Sequence, residues 1–238
     1  MIRIGTSGFS YKEWVGSFYP PRTPGNKMLG YYAAHMPTVE INYTFRAMPR
    51  PPMLEGWLRE TTPDFRFALK ASQRITHQAR LRNTQSDLDY FISVARTLGD
   101  RLGPTLFQLP PGLKKDVALL RDFLTQLDGR LAAAFEFRDP SWFDDAVFDA
   151  LSQAASALCL AESDKISTPI VLTAPHVYLR LRKENYDEIA LTQWADRIAD
   201  MEGQDRDVYV YLKHAVAAPG LAAMLRGLLD QRLGTAPR

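Results

Sequence analysis

The stretch TVEINYTF, residues 38–45, decides the fold because its side chains alternate with a period of two. Apolar side chains such as Val39 and Ile41 fall on one face, and polar ones such as Glu40 and Asn42 fall on the other. Successive side chains of a β-strand point to opposite faces, so this alternation predicts a strand. A carboxylate and an amide on the second face indicate either a solvated surface or a binding site.

Seven further runs have the same apolar or alternating character. They are IRIGTS (2–7), FRFALKA (65–71), PTLFQLP (104–110), AAAFEFR (132–138), ALCLAES (157–163), VYLRLRK (177–183) and VYVYLKH (208–214). Helical periodicity fills most intervals, giving about seven helices, and the connection 164–176 is the exception. Strands that alternate with helices predict parallel βαβ units, and eight strands close a (β/α)8 barrel of TIM type. A doubly wound open sheet is the alternative. Without a composition break, we expect one domain over residues 1–238.

The composition excludes several classes of protein. Hydrophobic residues make up 46% and charged residues 24% of the chain, as in ordinary soluble globular proteins. The net charge of +2 gives no strong attraction to nucleic acid. The single cysteine, Cys159, cannot form an internal disulfide. No apolar run has the length of a signal peptide or of a membrane helix, so we expect a cytoplasmic protein without a membrane partner.

The same alternation predicts which side chains face the inside of the barrel. Both faces of a parallel strand are normally buried, so polar groups on one face are costly unless they pair or line a cavity. They concentrate late in each run, where TIM barrels carry their active sites. The side chains expected at this mouth are Ser7, Glu40, Asn42, Thr44, Lys70, Gln108, Glu136, Arg138, Glu162, Arg180 and Lys213. On the sixth run the inner face would be Leu158, Leu160 and Glu162. Alternatively, some charges only brace the barrel, as Glu136 with Lys70 or Arg180 would.

Several long motifs carry a family resemblance. They are GTSGFSYKEWVGSFYP (5–20), VEINYTFRAMP (39–49), TPDFRFALKASQRITH (62–77), LGPTLFQLPP (102–111), AFEFRDPSW (134–142) and YLRLR (178–182). In this order, over nearly the whole chain, they resemble the YecE-like family, or domain of unknown function 72. The resemblance implies a TIM-type barrel and no assigned reaction.

The chain departs from that family at the mouth. Arg182 and Lys183 stand where members often have a histidine and a glycine, and Asp139 stands where a histidine is common. Lys213 and His214 replace an asparagine-rich pair. These differences make one side of the mouth more basic and put in doubt any role that needs the family's side chains.

Four residues are the candidates for acid–base catalysis: Glu40, Lys70, His77 and Glu136. Glu40 and Glu136 would serve as a carboxylate pair, or burial would raise the pKa of one of them and make it a base. Lys70 would lower the pKa of a neighbouring carboxylate, act as a Schiff-base lysine, or only form an ion pair with Glu40 or Glu136. Arginine forks bind carboxylate or phosphate, so Arg138, Arg180, Arg182 and Lys213 indicate an anionic group on the ligand. The rings of Tyr11, Trp14 and Trp142 would stack on a sugar or base, or only pack at the rim.

The sequence disfavours a bound metal. The four histidines are scattered and no HxH or paired ligand spacing occurs, so no metal site is assigned. No glycine-rich dinucleotide or Walker motif is present, and no cofactor is predicted.

We therefore expect an enzyme acting on a small or medium anionic substrate, such as a phosphorylated sugar or a nucleotide-like molecule. Hydrolysis, isomerisation and lyase chemistry all stay open, and the sequence does not define an oligomeric state. The alternative is a non-catalytic barrel that binds nucleic acid or protein, for which the arginines of QRITHQARLRN (73–83) give slight support. A third reading makes the inner charges purely structural.

Overall fold

Eight parallel strands close into a barrel in the computed structural model, which describes residues 1–234. The strands are β1 (Ile2–Ser7), β2 (Thr38–Ile41), β3 (Arg66–Lys70), β4 (Leu102–Gln108), β5 (Ala133–Glu136), β6 (Ala157–Glu162), β7 (His176–Leu181) and β8 (Asp207–Leu212). Each strand pairs with the next in the chain, and β1 pairs with β8 from Ile2–Val208 to Thr6–Leu212. The predicted (β/α)8 architecture is confirmed, and the open-sheet alternative is wrong.

Helices cover the outside of the barrel. They are α1 (Met28–His35), α2 (Pro51–Glu60), α3 (Gln85–Ala95), α4 (Val117–Leu127), α5 (Asp145–Gln153), α6 (Glu188–Glu202) and α7 (Ala218–Leu233). The connection from β6 to β7 contains no helix within the described chain, as its prolines predict. No helix within residues 1–234 is both long enough and apolar enough to cross a bilayer.

Aspartates begin three of the helices. The side chains of Asp116, Asp144 and Asp187 accept hydrogen bonds from backbone N–H groups in the first turns of α4, α5 and α6. Such N-caps satisfy donors that the helix itself leaves unpaired. The helices are thereby positioned with their apolar faces on the barrel, where residues such as Phe123 and Ile198 are fully buried.

The barrel interior forms its own small core, separate from the layer between strands and helices. Its members are Ala68, Leu106, Ala134, Ala157, Cys159, Ala161, Ala174, Tyr178, Tyr209 and Tyr211. Tyr178 and Tyr211 lie with ring centroids 5.0 Å apart, and the Tyr211 hydroxyl is 2.8 Å from Thr38 Oγ1. Small residues on the facing strands leave room for these rings.

The predicted orientation of β6 is wrong. Ala157, Cys159 and Ala161 belong to the interior, whereas Leu158 and Leu160 belong to the helix-facing core. Leu158, Leu160 and Glu162 therefore lie on the opposite face from the one expected. The tyrosines of β7 and β8 occupy much of the interior, so the strand beside them presents its small side chains inward.

Candidate active site at the mouth of the barrel

A fully buried cluster of charges lies where β2, β5 and β7 end. The Glu40 and Glu136 carboxylates flank the Arg180 guanidinium, and the three residues are at most 2% exposed. Arg180 Nη2 donates to Glu40 Oε1 at 2.8 Å, and Arg180 Nε lies 2.8 Å from Glu40 Oε2. Arg180 Nη1 donates to Glu136 Oε2. One planar guanidinium therefore bridges two carboxylates across the barrel, a geometry that a lysine ammonium does not reproduce.

Neutral groups donate further hydrogen bonds to the Glu40 carboxylate. The Ser7 hydroxyl donates to Oε1 at 2.5 Å and itself accepts from Asn42 Nδ2 at 2.8 Å. The hydroxyl of Tyr178 donates to Oε2 at 2.9 Å. A carboxylate that accepts this many hydrogen bonds is strongly favoured in its charged form.

These contacts determine the ionisation of both carboxyl groups. Burial by itself raises the pKa of Glu40, but the charge and hydrogen bonds of Arg180 outweigh it and lower that pKa to about 2. The pKa of Glu136 is also lowered, because Arg180 and Arg182 outweigh its burial. The expectation that burial raises the pKa of one carboxyl is therefore wrong, and both groups are anions at neutral pH.

Lys70 lies beside this cluster rather than in it. Its ammonium donates to Gln108 Oε1 at 2.8 Å and sits 4.1 Å from the centre of the Phe45 ring. Gln108 in turn donates through Nε2 to Glu136 Oε1 at 2.8 Å. Burial and the charge of Arg180 lower the pKa of Lys70 to about 8. Lys70 therefore exchanges a proton much closer to neutral pH than an ordinary lysine does.

Further cations surround the opening. Arg182 Nη1 is 3.2 Å from Glu136 Oε1, while its buried Nε has no hydrogen-bond partner within residues 1–234. Arg138 and Lys213 are exposed, immediately after β5 and β8. Although the Lys213 residue as a whole is exposed, its ammonium is partly buried, and this partial burial and the charges of Arg182 and Arg180 lower its pKa. These cations therefore share one region of space.

His77 lies at the edge of the mouth. Its ring packs edge-on against Phe45, with centroids 4.9 Å apart, and its Nδ1 is 2.9 Å from Thr76 Oγ1. Partial burial and the charge of Lys70 lower its pKa. His77 is thus largely neutral at pH 7, since even an unperturbed histidine has a pKa near 6.5.

Of the predicted rings, only Tyr11 lies near the charged groups. Its hydroxyl donates to the Ser7 carbonyl at 2.7 Å, and the charge of Glu40 contributes to its raised pKa. Trp14 and Trp142 are at most 1% exposed, and their indole N–H groups donate to the carbonyls of Ala215 and Leu113. Neither indole presents a surface on which a ligand would stack.

Two other predicted residues are placed away from the opening. The Glu162 carboxylate accepts from Trp194 Nε1 at 2.9 Å and pairs with Lys183 at 2.8 Å, which places it between β6 and α6. Thr44 is fully buried, and its hydroxyl donates to the backbone carbonyls of Lys70 and Ile41. Both expectations of a mouth-lining side chain are corrected accordingly.

Tyr178 is a site residue that the sequence reasoning did not select. The alternation that puts Arg180 on the inner face also puts Tyr178 there, two residues earlier, and that spacing was the available signal. His214, by contrast, has a local role, because its Nδ1 accepts the backbone N–H groups of Val216 and Ala217 just before α7. Within residues 1–234, no group of three or more His, Cys, Asp or Glu side chains is arranged to hold a metal ion.

The basic segment 73–83 is less open than its sequence indicates. Arg74 pairs with Asp87 at 3.1 Å, and Arg82 pairs with Asp116 at 3.0 Å. A cavity of about 810 Å³ lies on the outer surface between α1 and α7 and is largely apolar, lined by Met36, Leu221 and others. The charged strand ends make the mouth the stronger candidate for chemistry.

Comparison with known proteins agrees with the resemblance seen in the sequence. The profile of a family described as "Protein of unknown function DUF72" matches residues 3–238. The UPF0759 protein YecE of Escherichia coli (strain K12) is 34% identical over 144 residues, which cover 60% of this chain and 50% of that protein. The UPF0759 protein YunF of Bacillus subtilis (strain 168) is 34% identical over 158 residues, covering 63% and 55%. The chain thus spans about half the length of these relatives.

Two crystal structures have the same fold. A DUF72 family protein from Thermotoga maritima MSB8 superposes with a TM-score of 0.80 and 24% identity, covering 98% of this chain and 99% of that one. A DUF72 family protein from Enterococcus faecalis V583 gives a TM-score of 0.80 with 18% identity, covering 100% and 97%. At these identities the likeness concerns the fold alone.

Proposed function

Because the chain belongs to the DUF72 family, a family of unknown function, its role has to be argued from the site, and we propose that the barrel mouth is the active site of an enzyme for a small or medium anionic substrate. Phosphorylated sugars and nucleotide-like molecules are the substrate classes that fit best. Protonatable groups beside an anion site support acid–base chemistry, with hydrolysis, isomerisation and lyase reactions as its forms.

The observation that carries the proposal is a cluster of cations at the mouth, of which Lys70, Arg138 and Lys213 have no carboxylate partner within residues 1–234. Glu40 and Glu136 carry two negative charges and Arg180 carries one positive charge, so this group neutralises only one of the four further cations at the mouth. Lys70, Arg182, Arg138 and Lys213 are left around the opening, and the Arg182 Nε has no partner within residues 1–234. Like charges brought together in a half-buried site favour binding of an anion.

The residues divide into two roles under this proposal. Arg182, Arg138 and Lys213 hold the anionic group, with bidentate contacts from the guanidinium groups. Lys70 and His77 are the groups that move protons, because the pKa of Lys70 is lowered to about 8 and an imidazole accepts and donates protons through its two ring nitrogens. A buried layer of charged side chains lies beneath them and consists of Glu40, Glu136 and Arg180. Hydrogen bonds connect this layer to the opening through Ser7, Asn42 and Gln108.

Thermal-shift measurements with inorganic phosphate, phosphorylated sugars and nucleotides test the anion site. A ligand at 100 times its Kd stabilises the protein by about 2.7 kcal/mol, which corresponds to about 5–10 °C for a chain of this size. We expect such a shift for the wild type and its loss in Arg182→Ala. The matched control is Arg59→Ala, which removes an exposed cation from α2 whose salt bridge within the described chain is to Glu55.

Retention of the shift in Arg182→Ala would contradict an anion site at the mouth. A binding-only barrel is separated from an enzyme by incubating each stabilising compound with the protein and following its conversion by phosphorus NMR. Conversion that the Lys70→Met variant abolishes supports catalysis. Binding without conversion, for every compound that stabilises the protein, would favour the non-catalytic alternative.

A further inference from the structure

The amino group of Lys70 is held in an unusual way for a lysine beside two carboxylates. Its only hydrogen bond within the described residues is to the neutral amide oxygen of Gln108, and its other contact is the Phe45 ring. Glu40 and Glu136 are both engaged by Arg180 instead. An amide oxygen accepts an N–H from an amine as well as from an ammonium, so these contacts do not require Lys70 to be charged.

The charged neighbours of Lys70 come from several strands. Glu40 on β2 and Glu136 on β5 favour its ammonium form, while Arg180 and Arg182 near the end of β7 disfavour it, together with burial. The balance leaves about a tenth of the Lys70 side chains as free amine at pH 7, against less than a thousandth for an ordinary lysine. A free amine is the form that attacks a carbonyl carbon.

We infer that Lys70 forms an imine with the carbonyl group of a small phosphorylated aldehyde or ketone. The inference rests on the proposed anion site, because Arg182, Arg138 and Lys213 would hold the phosphate group. A phosphate dianion suits several converging cations better than a singly charged carboxylate does. The 9% of Lys70 that stays exposed restricts the partner to a small molecule.

The covalent step balances without any further reactant. The Lys70 nitrogen forms a bond to the carbonyl carbon while one proton passes from nitrogen to the carbonyl oxygen, giving a carbinolamine. Transfer of a proton from solvent to the hydroxyl group and loss of water then break the C–O bond and leave a protonated C=N bond, and return of the nitrogen proton to solvent gives the neutral imine. The sum is amine plus carbonyl compound to imine plus water, with no change in oxidation state.

His77, which is largely neutral, is placed to accept a proton during these transfers. The His77 ring and the Lys70 ammonium both contact the Phe45 ring, and the charge of Lys70 contributes to lowering the pKa of His77. In the charged imine, the C=N bond draws electrons from the neighbouring carbon. A C–H or C–C bond at that carbon is thereby weakened, which corresponds to the isomerase and lyase forms of the proposed reaction.

The probe is glycolaldehyde phosphate, followed by reduction with sodium borohydride and peptide mapping by mass spectrometry. Reduction converts the imine into a stable secondary amine on the modified lysine. We expect labelling of Lys70 to exceed that of the exposed Lys27 by about ten-fold or more, because the anion site would hold the probe beside Lys70 and part of Lys70 is free amine. Glycolaldehyde without phosphate is the matched control and should label Lys70 about ten-fold less.

Two variants locate the reaction. Lys70→Arg keeps the positive charge but has no amine for imine formation, so the adduct should disappear while phosphate binding, measured by calorimetry, persists. Arg182→Ala keeps the amine, so the adduct should form but lose its preference for the phosphorylated probe.

The outcomes separate this inference from the proposed function. Wild-type protein that binds inorganic phosphate but shows no excess labelling of Lys70 overturns the imine inference and leaves the anion site standing. Protein that neither binds phosphate nor labels at Lys70 overturns both. Equal labelling by the two aldehydes overturns the assignment of a phosphorylated substrate.

Discussion

Replacement of Arg180 by methionine removes the guanidinium between Glu40 and Glu136 and leaves two buried carboxylates without a cation. Breaking a buried ion pair by removing one partner typically costs about 3–5 kcal/mol. The pKa values give a similar figure, since lowering the Glu40 pKa from 4.5 to about 2 corresponds to about 3 kcal/mol at neutral pH. We therefore expect Arg180→Met to lower the free energy of unfolding by at least about 3 kcal/mol at pH 7.

The pH dependence gives the sharper test. In the wild type the folded-state pKa of Glu40 is depressed, so its stabilisation is present above pH 4.5 and is lost as the pH falls towards 2. In Arg180→Met burial dominates and raises the carboxyl pKa values above their unfolded values. That destabilisation is present at high pH and disappears as the pH falls through the raised values. The two stability curves should therefore converge in acid.

Urea unfolding at pH 7 and pH 4 measures both effects, with Arg182→Met as the matched control. Arg182 is partly exposed and makes a single 3.2 Å contact with Glu136, so its loss should cost about 1 kcal/mol or less. An Arg180→Met variant within 1 kcal/mol of the wild type at pH 7 would refute the assigned role of Arg180, as would a deficit that stays constant between the two pH values.

Three more outcomes are expected. Gly5→Ala should cost about 3 kcal/mol or more in unfolding free energy, because the new Cβ would lie 2.0 Å from the Thr38 carbonyl oxygen. Gly112→Ala, where the new Cβ would enter open space, should be nearly neutral. Equal stabilities of the two variants by urea unfolding would contradict the tight packing of β1 against β2. Glu162→Gln should leave phosphate binding unchanged by calorimetry, since Glu162 faces α6. A weakened phosphate affinity would indicate that Glu162 lines the mouth after all. Amine labelling of Lys70, followed by mass spectrometry, should rise with pH to a midpoint near 8, and a midpoint near 10 would contradict its assigned pKa.

The barrel could be predicted because its signals repeat. Eight alternating runs and the helical segments between them give the strand number and order, and most inward-facing positions follow from the polar residue at each strand end. The orientation of β6 could not be obtained in this way. ALCLAE is apolar on both faces, so its terminal Glu162 was the only guide, and that carboxylate pairs with Trp194 on the helix side.

The sequence predicted which residues belong to the candidate site but not which of them form hydrogen bonds and ion pairs with each other. Glu40, Lys70, Glu136 and Arg180 were all expected at the mouth, and the structure brings them together. Which cation meets which anion depends on distances across the barrel that alternation does not encode. Only the three-dimensional arrangement shows that Arg180 binds both carboxylates and that Lys70 donates its hydrogen bond to an amide oxygen. The burial of Trp14 and Trp142 likewise depends on how the loops pack.

The charged bridge at the centre of the barrel also bears on how the chain folds. Arg180 is 140 residues from Glu40 and 44 residues from Glu136 along the sequence, so the bridge forms only when strands from both halves of the barrel have met. Contacts of such long sequence separation form late, because their loop-closure entropy has to be overcome first. A partial barrel of β1–β6 would hold both carboxylates without the Arg180 guanidinium, which disfavours its closure. The bridge thus couples the two halves into one cooperative folding unit.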